Sequence, residues 1–209
     1  MIDESLRTRP SLEHGLRSAL LRVAAHAIGA ALTTRRIEPP DPNAHAAELR
    51  ALSATFVSLE RDGALLGCVG TLHPVRPLVV DVAHNAIAAA FTDPRFPPVD
   101  ADDYLHMSIK ISVLSAHESL AAASYPDLVA SVRSHTDGLI VTSGKHRATL
   151  LPSVWPKVSD AASFCEHLWL KAGLVPGTWP RGIHVARYTT EEFAGPTATD
   201  SIRLGVDTA

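Results

Sequence analysis

The sequence predicts an α+β fold in which an N-terminal helix precedes two successive strand-strand-helix-strand units. Two tight-turn signals, Asp62-Gly63 and Ser143-Gly144, each separate short apolar runs. Each pair of runs is followed by an apolar helical stripe and then by a strand of alternating residues. The landmarks keep a near-constant offset, with Gly63 to Gly144 spanning 81 positions and Pro77 to Ser159 spanning 82. The halves share no obvious identity, so the duplication is read from element order alone.

Leu12, Leu16, Leu20, Val23, Ala27 and Ala30 advance in steps of three and four, the spacing of one helical face. Ser11 is the expected N-cap, and Glu13 favours the positive end of the helix dipole. Pro39, Pro40 and Pro42, within Arg35 to Asn43, make a connector, because proline lacks an amide proton and restricts the residue before it. Strands are expected at 54–60 and 64–71. Pro77 suits a first helical position, and Val79, Val82, Ala86 and Ala90 carry the stripe to Phe91. Thr92 to Asp100, with Pro94, Pro97 and Pro98, forms a stiff loop, after which Leu105, Met107, Ile109, Ile111 and Val113 alternate as a half-buried strand.

The second half repeats the order. Leu139 to Thr142 and Arg147 to Leu151 form a hairpin, and Ser159 caps a helix with Phe164, Leu168 and Ala172 on one face. Gly173 ends that helix in the left-handed conformation, and Ile183, Val185 and Arg187 alternate in a last strand. Residues 194–209 are expected to form a flexible tail.

With 209 residues, 46% hydrophobic and 20% charged, the composition is that of a soluble globular protein. Nineteen Lys and Arg against twenty-two Asp and Glu, with no block of like charge, point away from nucleic acid and from anionic membranes. Ser18 to Leu32 is broken by Arg22 and His26 and is too short to span a bilayer, and Met1 to Arg9 lacks the pattern of a secretory signal. Cys68 and Cys165 match neither a zinc ribbon nor a redox pair, so two free thiols in a reducing cytoplasm are expected.

The chemistry-bearing segment is Leu65-Leu66-Gly67-Cys68-Val69-Gly70-Thr71, where two glycines in a strand call for a close approach or a bend. Alternation puts Leu66, Cys68 and Gly70 on one face. Cys68 is the candidate nucleophile, with the amides around Gly67 and Gly70 available to a developing anion; a buried cysteine acting as a small hydrophobe is the competing reading. Asp93-Pro94-Arg95-Phe96 offers a guanidinium that clamps a carboxylate or phosphate, or else a brace between Asp93 and Arg95 with Phe96 plugging the core. Arg147 and Thr149 point the same way on the second hairpin, toward a ligand or toward solvent. Strand register singles out His106, and less directly His73, as a base. His73, His84, His106 and His146 show no metal-ligand spacing, and dinucleotide, P-loop and hydrolase-elbow motifs are missing, so no metal or cofactor is expected.

Leu65 to Gly70, Asn85 to Phe91 leading into Asp93-Pro94-Arg95-Phe96-Pro97-Pro98, Ile109 to Leu114, Asp137-Gly138-Leu139-Ile140, Arg147 to Pro152 with Trp155, and Lys171-Ala172-Gly173-Leu174 together resemble the AMMECR1 domain over about residues 12–193. The resemblance implies two unequal subdomains with a cleft between them and brings no established reaction. It also implies company, because the prokaryotic form resembles protein A of the AmmeMemoRadiSam system, which includes a Memo-like protein and a radical-SAM protein. The family usually carries Arg before Gly-Cys, whereas this chain has Leu66, which shifts any anion clamp to Arg95, Arg147 or Lys171. Two functions follow as expectations. One is an enzyme acting through Cys68 on an unknown small molecule or protein. The other is a non-catalytic module that binds the Memo-like or radical-SAM protein through the Phe96 loop and exposed Trp155 and Trp179.

Overall fold

In a computed structural model, residues 11–34 and 38–197 are described and divide into two units. The first, residues 11–114 with 191–197, begins with α1 (His14–Thr34), a 3-10 turn at Pro42–Ala44 and α2 (Ala47–Arg50). There follow β1 (Leu52–Ser53), β2 (Thr55–Arg61), β3 (Ala64–Gly70), β4 (Arg76–Pro77), α3 (Leu78–Phe91), α4 (Ala101–His106) and β5 (Ser108–Leu114). The second unit, Ser115–Thr190, has β6 (Glu118–Ser119), α5 (Tyr125–Ser131), β7 (Gly138–Ser143), β8 (His146–Leu150), a 3-10 helix at Pro152–Lys157, α6 (Ala161–Ala172) and β9 (His184–Tyr188). The chain then returns to the first sheet as β10 (Thr190–Pro196).

The strand orders are β10-β5-β2-β3 and β6-β9-β7-β8. In both sheets an antiparallel hairpin is followed by a helix, and the next strand pairs antiparallel with the first strand of that hairpin. The element order read as a duplication is thus a repeated topology, and the fold is α+β. Asp62 at φ 51° and Gly63 at φ 79° give the first hairpin the pair of left-handed residues whose twist matches its strands.

Val57, Leu59, Ile109 and Ile111 on one face of the first sheet pack with Leu20, Ala24 and Ile28 of α1 and Val82 and Ala86 of α3. Inside this unit lies a buried polar knot. The carboxylate of Asp81, fully buried, accepts the Thr55 amide at 3.0 Å and hydroxyl at 2.8 Å, the Thr71 hydroxyl at 3.0 Å, Asn85 Nδ2 at 3.0 Å and Arg76 Nη1 at 3.0 Å. Asn85 Nδ2 also reaches the Thr55 carbonyl at 3.0 Å, so α3 is tied to the start of β2 by groups that have left water and need every partner. The second core is aromatic: Trp155 stacks on Phe164 at 4.2 Å, and Tyr125 meets Trp169 edge-on at 5.1 Å.

Several sequence expectations are corrected. Leu105 to Met107 are not strand. Asp100 and Asp103 form a reciprocal capping box that starts α4, and Leu105 and His106 fall in that helix, so β5 begins only at Ser108. Asp160, not Ser159, caps α6 by accepting the Ser163 amide at 2.8 Å. Ser11 is not the N-cap of α1: its hydroxyl donates to Glu191 of β10 and accepts Arg17 Nη2, and Glu191 itself accepts the Leu12 amide at 3.0 Å and Arg17 Nε at 2.9 Å. The buried face of α1 is Leu20, Ala24, Ala25, Ile28 and Gly29; Val23 is half-buried and packs against that core, while Ala27 and Ala30 are half-buried at its margin. Trp155, expected on the surface, is 2% exposed, and its Nε1 donates to the Asp137 carbonyl at 2.8 Å, whereas Trp179 is half-buried. The expected tail begins as strand, since β10 runs to Pro196 and the buried Thr197 hydroxyl donates to the Tyr104 and Met107 carbonyls. Met1 to Arg9, residues 35–37 of the connector and residues 198–209 lie outside the described residues.

Removing the acceptor at the centre of the polar knot strands Thr55, Asn85 and Arg76. Asp81→Ala is expected to lower the unfolding free energy by about 3 kcal/mol, measured by urea titration followed by circular dichroism. A change under about 0.5 kcal/mol would show that the knot does not hold the unit together.

Candidate functional site

The edge strand β3 carries the site. A bulge opposite Leu59 and Glu60, where Leu59 pairs with Gly67 and Glu60 with Leu65, leaves Leu66 as the extra residue. It breaks the alternation expected through this run. Leu66 packs against the core cluster, while Cys68, in register with Ser58 and through it with Lys110, takes the face opposite Val57 and Leu59. The two glycines are there for packing. A Cβ on Gly67 would meet the Ala89 carbonyl oxygen at 2.0 Å, and one on Gly70 would meet the Phe56 ring at 2.2 Å. The close approach that the glycines called for is therefore made by α3 and by an aromatic ring of the neighbouring strand.

Because Gly67 lets α3 lie against β3, the loop after α3 falls along the free edge beside Cys68. Asp93 Oδ2 accepts the Cys68 amide at 2.9 Å, and Arg95 Nη2 donates to the Cys68 carbonyl at 3.0 Å. The two side chains are joined to each other, Nε to Oδ1 at 2.9 Å and Nη2 to Oδ2 at 2.7 Å. This pair offers an acceptor and a donor as a further strand would, which satisfies the edge and blocks another chain from adding there. The Cys68 amide is accordingly occupied and is not a donor to a developing anion.

The Cys68 thiol is half-buried, and its Sγ accepts the Ser58 hydroxyl at 3.2 Å. Beyond Ser58 in the same row, Lys110 pairs with Glu192 at 2.8 Å, and Glu192 also takes the Ser112 hydroxyl at 3.0 Å. Arg95 bonds the Asp93 carboxylate through Nε and Nη2 and the Cys68 carbonyl through Nη2, and its guanidinium also interacts with the Cys68 side chain. The guanidinium lies 5.3 Å from the centre of the half-buried Phe96 ring, and its side chain is 58% exposed. Arg95 holds Asp93 well below the usual carboxylate range, helped by the amides of Cys68 and Arg95 and opposed by burial. Asp93 in turn raises Arg95 above its ordinary value, with a further contribution from Cys68.

Cys68, Gly67, Gly70, Asp93, Arg95 and Phe96 are thus brought together. His106 is placed differently, as the last residue of α4 with Nδ1 2.8 Å from the Asp102 carbonyl; the strand register that singled it out is not present. His73 is exposed. Arg147 and Thr149 belong to β8 of the second unit, where the Thr149 hydroxyl donates to the Leu139 carbonyl at 2.8 Å and lies 2.7 Å from the Tyr188 hydroxyl. Ser58 and Lys110 escaped the sequence reading. They become visible only when β2 and β5 are set in register beside Cys68. No group of three His, Cys, Asp or Glu among the described residues is arranged to hold a metal ion, and none of their helices is long and apolar enough to cross a membrane.

A model of the AMMECR1 family matches residues 21–193. The chain belongs to the AMMECR1 family. A protein of Thermofilum pendens is 34% identical over 205 residues, covering 90% of this chain and 93% of that one. Protein Mbar_A1807 of Methanosarcina barkeri is 32% identical over 180 residues, 84% of this chain and 88% of its own. The crystal structure of PH0010 from Pyrococcus horikoshii matches with a TM-score of 0.76 at 33% identity, covering 84% of this chain and 89% of that one, and so shares the fold. In this AMMECR1 chain Arg95 places a guanidinium beside the Cys68 backbone, and Leu66 packs against the core.

A carboxylate lowered on folding stabilises above its unfolded value and loses that contribution as pH falls through the folded one. The stability gap between the native chain and Asp93→Asn should therefore be full at pH 7 and narrow below about pH 4. Urea unfolding at a series of pH values measures it, and a gap that stays constant to pH 3 would show that the Arg95 pairing contributes nothing through charge.

Proposed function

We propose that this AMMECR1 protein acts through the Cys68 thiol on a small-molecule or protein substrate, with Arg95 holding an anionic group of that substrate. The observation supporting this is the fixed surround of one residue: both backbone polar groups of Cys68 are tied to the Asp93-Arg95 pair, and its sulfur accepts a hydroxyl. A thiol held in this way meets a substrate without first ordering its own strand. Arg95 serves two ends. Its Nε and Nη2 brace the loop, and the exposed side of the guanidinium is offered to a carboxylate or phosphate. Anion stabilisation falls to that donor, since the Cys68 amide is occupied.

Cys165 provides an internal reference. It is buried in the second core, and burial pushes its thiol up to about 12. Two free thiols of this kind are at home in a reducing cytosol. Iodoacetamide should label Cys68 in the native protein, spare Cys165 until the chain is denatured, and react several-fold more slowly with Arg95→Gln, as read by peptide mass spectrometry. Labelling of Cys68 that requires denaturant would remove the catalytic reading.

A second reading, a binding module for the Memo-like or radical-SAM protein that the family resemblance implies, is favoured by the Arg95-Phe96 pair at the surface, a combination typical of interface anchors. On that reading Cys68→Ser keeps partner affinity, whereas Phe96→Ala weakens it by more than about 1 kcal/mol in calorimetry. The opposite pattern supports the enzyme.

A further inference from the structure

Helix α1 carries a flank of small apolar residues beside its core face. Leu20, Ala24, Ala25 and Ile28 face the core, while Ala19, Val23, Ala27 and Ala30 line an open groove of about 680 Å³. Its other walls are Ala83 and Ile87 of α3 and Pro39 and Pro40 of the connector. Ala19 and Val23 also pack against the core, so the groove is the open margin of that packing, bounded by α3 and the connector. The small residues along this margin leave room there for a ligand of ordinary small-molecule size.

The groove is charged around its apolar body. Among the described residues Arg22, His26 and His45 line it with one acid, Glu38, and the side chains of Arg22, His26 and His45 make no hydrogen bond or ion pair to a described residue. An exposed guanidinium with no partner among the described residues, beside an apolar trough, favours an anionic head on an apolar body. We propose that this groove binds a small, free organic carboxylate with an apolar body, seated along Val23, Ala27 and Ala30 with its carboxylate toward Arg22. None of the groove residues belongs to the surround of Cys68, so this site stands whether or not the thiol reading does.

The test uses the whole chain and two probes, the fluorescent anion 1-anilinonaphthalene-8-sulfonate and decanoate. The dye should bind saturably and be displaced by decanoate but not by decyltrimethylammonium. Ala27→Leu with Ala30→Leu fills the groove without touching the core face and should weaken both probes at least tenfold at an unchanged melting temperature. The exposed Arg22→Ala should weaken decanoate about tenfold on its own, and Cys68→Ser should leave binding intact. Phosphatidylglycerol vesicles should not sediment the protein. The proposal is overturned by non-saturable dye binding, by equal competition from the ammonium, or by native affinity in both variant proteins. Vesicle binding lost on filling the groove would overturn it too, by assigning the groove to a lipid surface.

Discussion

The site around Cys68 depends on how closely β3 lies against the last turns of α3. Gly67 has no Cβ, and any Cβ would meet the Ala89 carbonyl oxygen at 2.0 Å, so the contact is available to glycine alone. That approach fixes where α3 ends, and the end of α3 fixes where Asp93 and Arg95 come to rest. The buried Asp81-Asn85 knot holds the other end of the same helix to β2. Between these two attachments α3 has little freedom to slide. The edge of β3, the thiol and its guanidinium neighbour are positioned by a helix rather than by a loose loop.

The repeated topology gives both units the same difficulty, an exposed edge strand. In the first, Arg95 donates to the Cys68 carbonyl; in the second, Lys171 donates to the Thr149 carbonyl at 3.0 Å. A basic side chain thus covers a carbonyl of the outer hairpin strand in each. The units differ in what stands beside the cap. Asp93, buried and ionised, completes it in the first unit and takes the amide as well. The second unit has its own buried carboxylate, Asp137, but uses it to fold Arg133 back over the turn before β7, with Nη2 at 2.7 Å. One architecture therefore carries a half-buried free thiol on one sheet and an aromatic core with a braced turn in the other.

The added edge strand β10 explains how the segment after the second unit becomes part of the first. Glu191 holds the start of α1, and Glu192 holds Lys110 and Ser112 of β5. Adjacent residues on a strand point to opposite faces, so two consecutive acids serve two different elements. Nothing in the composition of this short acidic stretch announces that role.

The elements fixed by local chemistry were legible in the sequence: the Asp62-Gly63 turn, the Gly173 helix end, the stripes of α3 and α6 and the repeated order of the halves. Each depends on residues within a few positions of one another, where backbone conformation and hydrophobic period act directly. Cys68 and the Asp93-Arg95-Phe96 loop each stood out in the sequence, as a thiol between glycines and as a proline-stiffened Asp-Arg loop, whereas their adjacency did not. The capping box at Asp100 and Asp103 was also in the sequence, and the alternation from Leu105 onward masked it. What only the tertiary structure decided is which groups meet. The bulge that turns Leu66 to the core, the loss of the Cys68 amide to Asp93, the row from Cys68 through Ser58 to Lys110, and the open groove along α1 all depend on strand register and helix placement. These are set by long-range packing, and a linear pattern does not encode the distance between residues that only the folded chain brings together.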